Sequence, residues 1–252
     1  MITNENYFSP ENNMKYMGVS QLKSFMNCEA AAMAELKGEY IRPKTTSLLV
    51  GSYVDAHFSG TLDLFKAQNP EIFTKQGALK SEYRKAEEII NRIERDPLFA
   101  ELLSGKQQVI KTGELFGVPF KIKIDSYHHD KIVDLKIMKD FAPIYVEGKG
   151  RVSFIEAWGY DIQGAIYRAI EGNNLPFIIA AATKETEPDI GAWEISSAEL
   201  DAVLEMLEPY IQQAQLVKSG VIEPERCEHC DYCKFTKVLT EIGNAEDLQY
   251  AE

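Results

Sequence analysis

Two stretches near the middle of the chain alternate apolar and charged side chains residue by residue, a pattern that only an extended strand can sort onto two faces. In the first, Phe120, Ile122 and Ile124 fall on one side, and Lys121, Lys123 and Asp125 fall on the other. In the second, KIVDLKI, Asp134 and Lys136 share one face, while Val133, Leu135 and Ile137 share the opposite one. With β-branched residues before them and turn residues at Gly113–Gly117 and Ser126–Asp130, residues 107–113, 117–125 and 131–138 read as three strands of an antiparallel meander. Folded as neighbours, the last two would bring two carboxylates and an ammonium to one edge of a sheet.

Helical patterns surround this meander. One helix is expected from a Ser20 cap through QLKSFMNCEAAAMAEL to Gly38, and a largely buried second one over TSLLVGSYVDAHFSGTLDLF. Ser81 is expected to cap EYRKAEEIINRIER, which ends before Pro97. After the strands come a helix near 152–171 stopped by Gly172, a buried strand LPFIIAAAT, a strand GAWEI beside it, and a helix from about 197 to 219. This order predicts an α/β sandwich with a mixed sheet. It reads as one domain over 1–252, with a helical part at 18–105, an α/β core at 106–196, and a C-terminal helix and Cys-rich segment at 197–252.

Phosphodiester hydrolysis needs this set of charges. Carboxylates hold Mg²⁺ or Mn²⁺ through hard oxygens, the metal polarises a phosphate and acidifies a water, and a lysine offsets developing negative charge. The acid-x-Lys pattern recurs at Glu35-Leu36-Lys37 and Glu147-Gly148-Lys149, so the strand context and the acid one strand earlier single out Asp134-Leu135-Lys136. The same residues would also suit an ion pair on an exposed sheet face. His57, on a mostly apolar helix, needs either a hydrogen bond or a metal. Gln163 and Tyr167, four apart, share a helix face.

Charge narrows the partners. A net charge of -12 argues against a protein that coats nucleic acid non-specifically. Residues 111–151 are locally basic, with eight Lys and Arg (Arg151 among them) against six acids, which leaves room for a basic groove or simply a solvated surface. The polar N-terminus MITNENYFSPENN lacks a signal pattern, and no apolar run approaches the roughly 18 residues of a membrane span. A cytoplasmic location, with no membrane partner and reduced cysteines, is therefore expected.

In order along the chain, Gly51/His57, Asp125, Asp134/Lys136 and Gln163/Tyr167 resemble the motifs of the PD-(D/E)xK nuclease superfamily in its RecB-like branch. The phrases TTSLLVGSYVDAHF, FKIKID and IVDLKIM are most similar to phage or prophage RecE-type exonucleases. The resemblance covers about residues 18–235 and implies a restriction-endonuclease-like core. It implies metal ligation by His57, Asp125, Asp134 and the Leu135 carbonyl, catalysis by Lys136, and DNA contact or site ordering by Gln163 and Tyr167. It also implies an Mg²⁺-dependent exonuclease acting 5′ to 3′ on linear duplex DNA in a bacterial host. Such an enzyme would form a homo-oligomeric ring and work with a single-strand annealing protein of RecT type. A nuclease trimming single-stranded ends and a non-catalytic DNA-binding module of the same fold are the alternatives. Arg42, Ser47 and Arg151 are candidates for holding a 5′-phosphate, though no motif anchors them.

Cys227, Cys230 and Cys233 form C-x2-C-x2-C, with Cys28 as a distant fourth thiol. The spacing resembles a ferredoxin-type [4Fe-4S] site, and the plan of one cysteine before and three after the nuclease motifs resembles CRISPR-associated RecB-like nucleases. Zinc is the alternative ligand, and a buried Cys28 with no metal a third reading. A cluster here would staple the chain ends together.

Overall fold

The computed structural model describes residues 1–240 and 242–245. Six helices lead into the sheet: α1 (Pro10–Lys15), α2 (Val19–Asn27), α3 (Glu29–Leu36), α4 (Thr46–Phe58), α5 (Leu62–Gln68) and α6 (Lys85–Glu94), followed by the short α7 (Pro97–Leu102). The expected meander is β1 (Lys106–Leu115), β2 (Val118–Tyr127) and β3 (Ile132–Met138). A small hairpin, β4 (Ile144–Val146) and β5 (Gly150–Val152), leads to α8 (Phe154–Ala157) and α9 (Tyr160–Glu171). Then come β6 (Phe177–Thr183), β7 (Ile190–Ile195), α10 (Ser197–Lys218) and α11 (Asp231–Phe235).

The five-stranded sheet runs β1-β2-β3-β6-β7, with β3 and β6 parallel and the other neighbours antiparallel. Each face carries helices, so β6 is apolar on both sides, and β3 is too except at Asp134 and Lys136. Ile132, Phe177, Ile179 and Ala181 pack with Ile166 of α9 and Leu207 of α10. Val133, Leu135, Ala180 and Ala182 pack with Val54 of α4 and Ile89 of α6. This mixed sheet between helical layers is the restriction-endonuclease-like arrangement. Close packing of α9 depends on Gly164, because a Cβ there would stand 2.6 Å from Phe177 Cδ1 and 3.0 Å from Leu200 Cδ2. Among the described residues no helix is long and apolar enough to cross a membrane.

Several expected helices are broken, each for a visible reason. The helix read from Ser20 to Gly38 is two, because Cys28 is extended (φ −166°, ψ 109°). Glu225 takes over the region beyond the break: its carbonyl accepts from Ala30 N–H and its own N–H donates to Glu29 Oε2. Ser20 is not the cap either, since α2 begins at Val19 after Gly18. Gly60, at φ 73°, separates α4 from α5. Ser81 opens a 3-10 turn and does not cap α6. Gly159, left-handed at φ 61° and ψ 42°, divides the expected 152–171 helix into α8 and α9.

Candidate active site

The site begins where β2 and β3 part. Their ladder pairs Ser126 with Val133 and Tyr127 with Ile132 and goes no further. Continued regularly, it would set Ile124 opposite Leu135; instead Leu135 N–H donates to Asp125 Oδ2 at 3.1 Å. A side-chain oxygen thus replaces a backbone acceptor, and the opening lets a carboxylate sit between two strands. On β1, between the Gln107–Ser126 and Val109–Ile124 pairs, Gln108 is left-handed at φ 52°. A non-glycine residue there is strained, and its amide reaches Asp125 Oδ1 at 3.4 Å. The face alternation of β2 changes at the same place. Ile124 packs in the α9-side core, whereas Ser126 donates to the Leu102 carbonyl at the end of α7.

Asp134 points toward α9 and is 1 % exposed. Gln163 Nε2 donates to its Oδ1 at 2.6 Å. Its Oδ2 is buried with no hydrogen-bond partner, though the Lys136 ammonium lies against it as an ion pair. That ammonium also stands 5.0 Å from the centre of the Tyr160 ring. Burial works against the charge of Lys136, but Asp134 and Asp125 outweigh it and hold its pKa above the usual lysine range. Asp125 is raised too, which for an acid means toward neutrality: burial, then Asp134 and Asp55, lift its carboxyl well above the ordinary value. Acids crowded into a dry site in this way are relieved by a cation; Lys136 already offsets Asp134, and a hard divalent ion sharing the site would relieve Asp125 as well.

Around these residues opens a cleft of about 1250 Å³ whose lining includes Lys121, Lys123, Lys139 and Lys184. Gln163 and Tyr167 both line it, as one helix face should. Tyr167 Oη donates to the Lys123 carbonyl at 2.9 Å, pinning β2 two residues before Asp125. Burial, then Asp134, raise the Tyr167 pKa well above normal, so it remains a phenol. Ser47, Gly51 and Asp55 lie four apart on α4 and all face the cleft.

His57 does not join them. Two residues beyond Asp55 it is turned about 200° around the helix, and its Nε2 lies 2.8 Å from Glu94 Oε1 on α6, outside the cleft. Asp55 stands where a ligand from α4 was sought. Burial raises its pKa, Lys123 opposes the rise and Asp134 adds to it. Only packing reveals which face of α4 is inward, so neither Asp55 nor Gln108 was signalled by spacing. Arg42 and Arg151 also lie off the lining: Arg42 pairs with Glu35, and Arg151 is exposed on β5 opposite Tyr145. Ser47 does line the cleft and accepts from Lys184 Nζ at 2.6 Å.

The four cysteines meet away from the cleft. Cys28 and Cys233 sulfurs are 3.6 Å apart, Cys227 and Cys233 3.9 Å, and all four Sγ atoms lie within 4.8 Å of one another. Here the break between α2 and α3 finds its use, since the extended Cys28 faces the loop at 227–233.

The family model described as a PDDEXK-like domain of unknown function (DUF3799) matches residues 18–236. A crystal structure from Eubacterium rectale, titled "Putative exonuclease", is 46 % identical, with 100 % of this chain and 99 % of that one covered at a TM-score of 0.95. No curated protein matches the chain. With a sheet that opens around Asp125, Asp134 and Lys136 and a family match over nearly its whole length, the chain belongs to the PDDEXK-like family of the PD-(D/E)xK nuclease superfamily.

Proposed function

We propose that the chain is a metal-dependent deoxyribonuclease that degrades linear duplex DNA from its ends, 5′ to 3′, leaving single strands for recombination. One observation carries the reading: a buried Asp134 paired with Lys136, next to Asp125, in a lysine-lined cleft. Asp125, Asp134 and the Leu135 carbonyl would hold Mg²⁺ or Mn²⁺, with Asp55 contributing from α4 in place of His57. When bound, the ion polarises the scissile phosphate and acidifies an attacking water. Lys136, kept protonated by its two acids, orients that water and offsets charge building on the phosphate oxygens. Gln163 fixes Asp134 through Oδ1, so that Oδ2 would be shared by Lys136 and the metal. Lys123 would meet the DNA backbone, whereas the buried Lys121 donates to the Tyr7 carbonyl and to Asn13 Oδ1; the Lys184–Ser47 pair offers a positive, hydrogen-bonding seat for a terminal phosphate.

Exonuclease polarity, the ring assembly and a RecT-type partner rest on the resemblance to RecE-type enzymes. The likeness to the E. rectale protein, named as an exonuclease, supports exonuclease action in general. The test is digestion of 5′-phosphorylated linear duplex and of closed circular DNA, with and without Mg²⁺, by the wild type and by Lys136→Ala. Consumption of linear DNA alone, only with Mg²⁺ and only by the wild type, is expected. Failure to cut duplex or single-stranded DNA with either Mg²⁺ or Mn²⁺ sinks the catalytic reading.

We also assign the four thiolates to a structural metal. Zinc–sulfur bonds of about 2.3 Å imply a tetrahedron with edges of about 3.8 Å, close to the 3.6 and 3.9 Å of two sulfur pairs, with every pair inside 4.8 Å. A cubane would place each thiolate on its own iron with the cluster between them, so the sulfurs would have to move apart. The sulfur spacing therefore supports zinc over the [4Fe-4S] cluster that the sequence spacing suggests. Metal analysis should give about one zinc per chain and no visible absorption; iron with acid-labile sulfide would reverse the assignment.

A further inference from the structure

The chain has two tryptophans with opposite fates. Trp193 is packed between Phe141 and Phe154, with ring centres 4.9 and 5.2 Å away. Trp158 lines the cleft and is 57 % exposed. An indole left largely in water forgoes the burial that usually accounts for this residue type. Its backbone, in contrast, is held firmly. It closes α8 immediately before the left-handed Gly159, and its carbonyl accepts from Lys23 Nζ at 2.9 Å. Two residues on, Tyr160 covers the Lys136 ammonium. The structure thus presents a flat aromatic surface on a fixed backbone, two residues from the ring that touches the candidate catalytic lysine, in a cleft otherwise rich in lysine and carboxylate.

We infer that Trp158 is a stacking platform for an unpaired nucleobase next to the phosphate being cut. The inference rests on the nuclease reading and sharpens it: the strand is engaged at the site with at least one base out of the duplex. Lysines of the cleft attract the phosphates without reading bases. A base face is what an exposed indole recognises, whatever the sequence. Inside a duplex those faces are already stacked, so only a frayed end or a single strand can supply one. Phe8, also in the lining, is 69 % exposed, and the Lys123 ammonium stands 5.0 Å from its ring. A second aromatic surface beside a cation is thus within the same cleft.

The measurement is tryptophan fluorescence of the full-length protein titrated with a 5′-phosphorylated oligothymidine, without added divalent cation so that no strand is cut. An abasic oligomer of equal length and charge and a blunt duplex are titrated alongside. Stacking predicts quenching by the oligothymidine and little by the abasic strand. Trp158→Ala should weaken oligothymidine binding by about 5- to 100-fold, leave abasic binding unchanged, and lose the quench. Trp158→Phe should recover most of the affinity. Equal weakening for both oligomers, or no weakening, overturns the inference while leaving a DNA-binding protein. A changed elution volume of Trp158→Ala with no base-dependent effect would make the indole a contact between copies, and likewise overturn it. Failure of the wild type to bind any of these DNAs would instead bring down the nuclease reading with it.

Discussion

Two buried clusters of charge sit on the same pair of elements, β2 and α9, and they are built on opposite plans. At the C-terminal end of α9, Glu171 has a fully covered side chain. Its Oε1 accepts from Lys111 Nζ at 2.9 Å, Tyr127 Oη at 2.8 Å and Asn173 Nδ2 at 2.9 Å, and its Oε2 accepts from Asn173 N–H at 2.8 Å. Burial opposes its charge, but these donors, Lys111 foremost, hold its pKa down at about 2. Two turns earlier, Gln163 and Lys136 serve Asp134, while Asp125 is pushed up by burial and by its fellow acids Asp134 and Asp55. One carboxylate is satisfied by the fold; the other group crowds three acids around the Lys136 ammonium. Buried charge alone does not mark a site, but acids gathered in excess of the cations that face them do.

The largest effect that separates the two follows from replacing Asp125. Asp125→Asn should lower DNA cleavage at least 100-fold, on the scale of losing one preorganised electrostatic partner. Its thermal midpoint should stay or rise, because a carboxyl with a raised pKa destabilises the fold at neutral pH. The amide oxygen can still accept from Leu135 N–H. Cleavage rates and melting curves on the same preparation check this, and a midpoint several degrees lower would mean that the two clusters are alike.

How much of this contrast could be read beforehand depended on range. The meander and the Asp134–Lys136 pair were legible because period-two alternation is written in adjacent residues. Gln163 and Tyr167 were legible as a helix face for the same reason. What escaped was set by distant contacts. Cys28 breaks a helix that reads as continuous because thiols two hundred residues away face it and Glu225 bonds beyond it. Asp55 outranks His57 because α4 turns that face toward β3 and the other toward Glu94. The β4–β5 hairpin has strands of three residues and left-handed Gly148 and Gly150 at its turn, too short for a periodic signal. Glu171 itself reads as an ordinary acid at a helix end, unfavourable to the dipole, until Lys111 arrives from β1.

Replacing Glu171 should do the reverse of replacing Asp125. Glu171→Gln is expected to cost on the order of 3 kcal/mol at neutral pH, the free energy implied by a carboxyl held at about 2 against an ordinary 4.5, and to leave cleavage per folded molecule unchanged. The pH dependence has a fixed sign. A depressed folded pKa contributes stability that is complete above about 4.5 and is lost as pH falls through about 2, below which both forms are protonated. Urea titrations of wild type and variant should therefore differ most near neutrality and converge between about pH 4.5 and 2. Curves that stay apart at pH 2 would show that Glu171 acts through packing.

The smallest effect is the most direct probe of what the crowded acids are for. If the Asp125–Asp134 group wants more positive charge than Lys136 supplies, a divalent ion should stabilise the native state by mass action alone. At ten times its dissociation constant the gain is about 1.4 kcal/mol, or about 3 to 6 °C in the midpoint of a chain this size. Mg²⁺ or Mn²⁺ should produce that rise in the wild type and in Glu171→Gln, whose own cation, Lys111, plays no part in it. Asp134→Asn should show none, because a neutral amide is a poorer ligand beside a positive Lys136. An equal rise in all three proteins would place the ion elsewhere, the cysteine cluster included, and Asp134 would then serve as the partner of Lys136 alone.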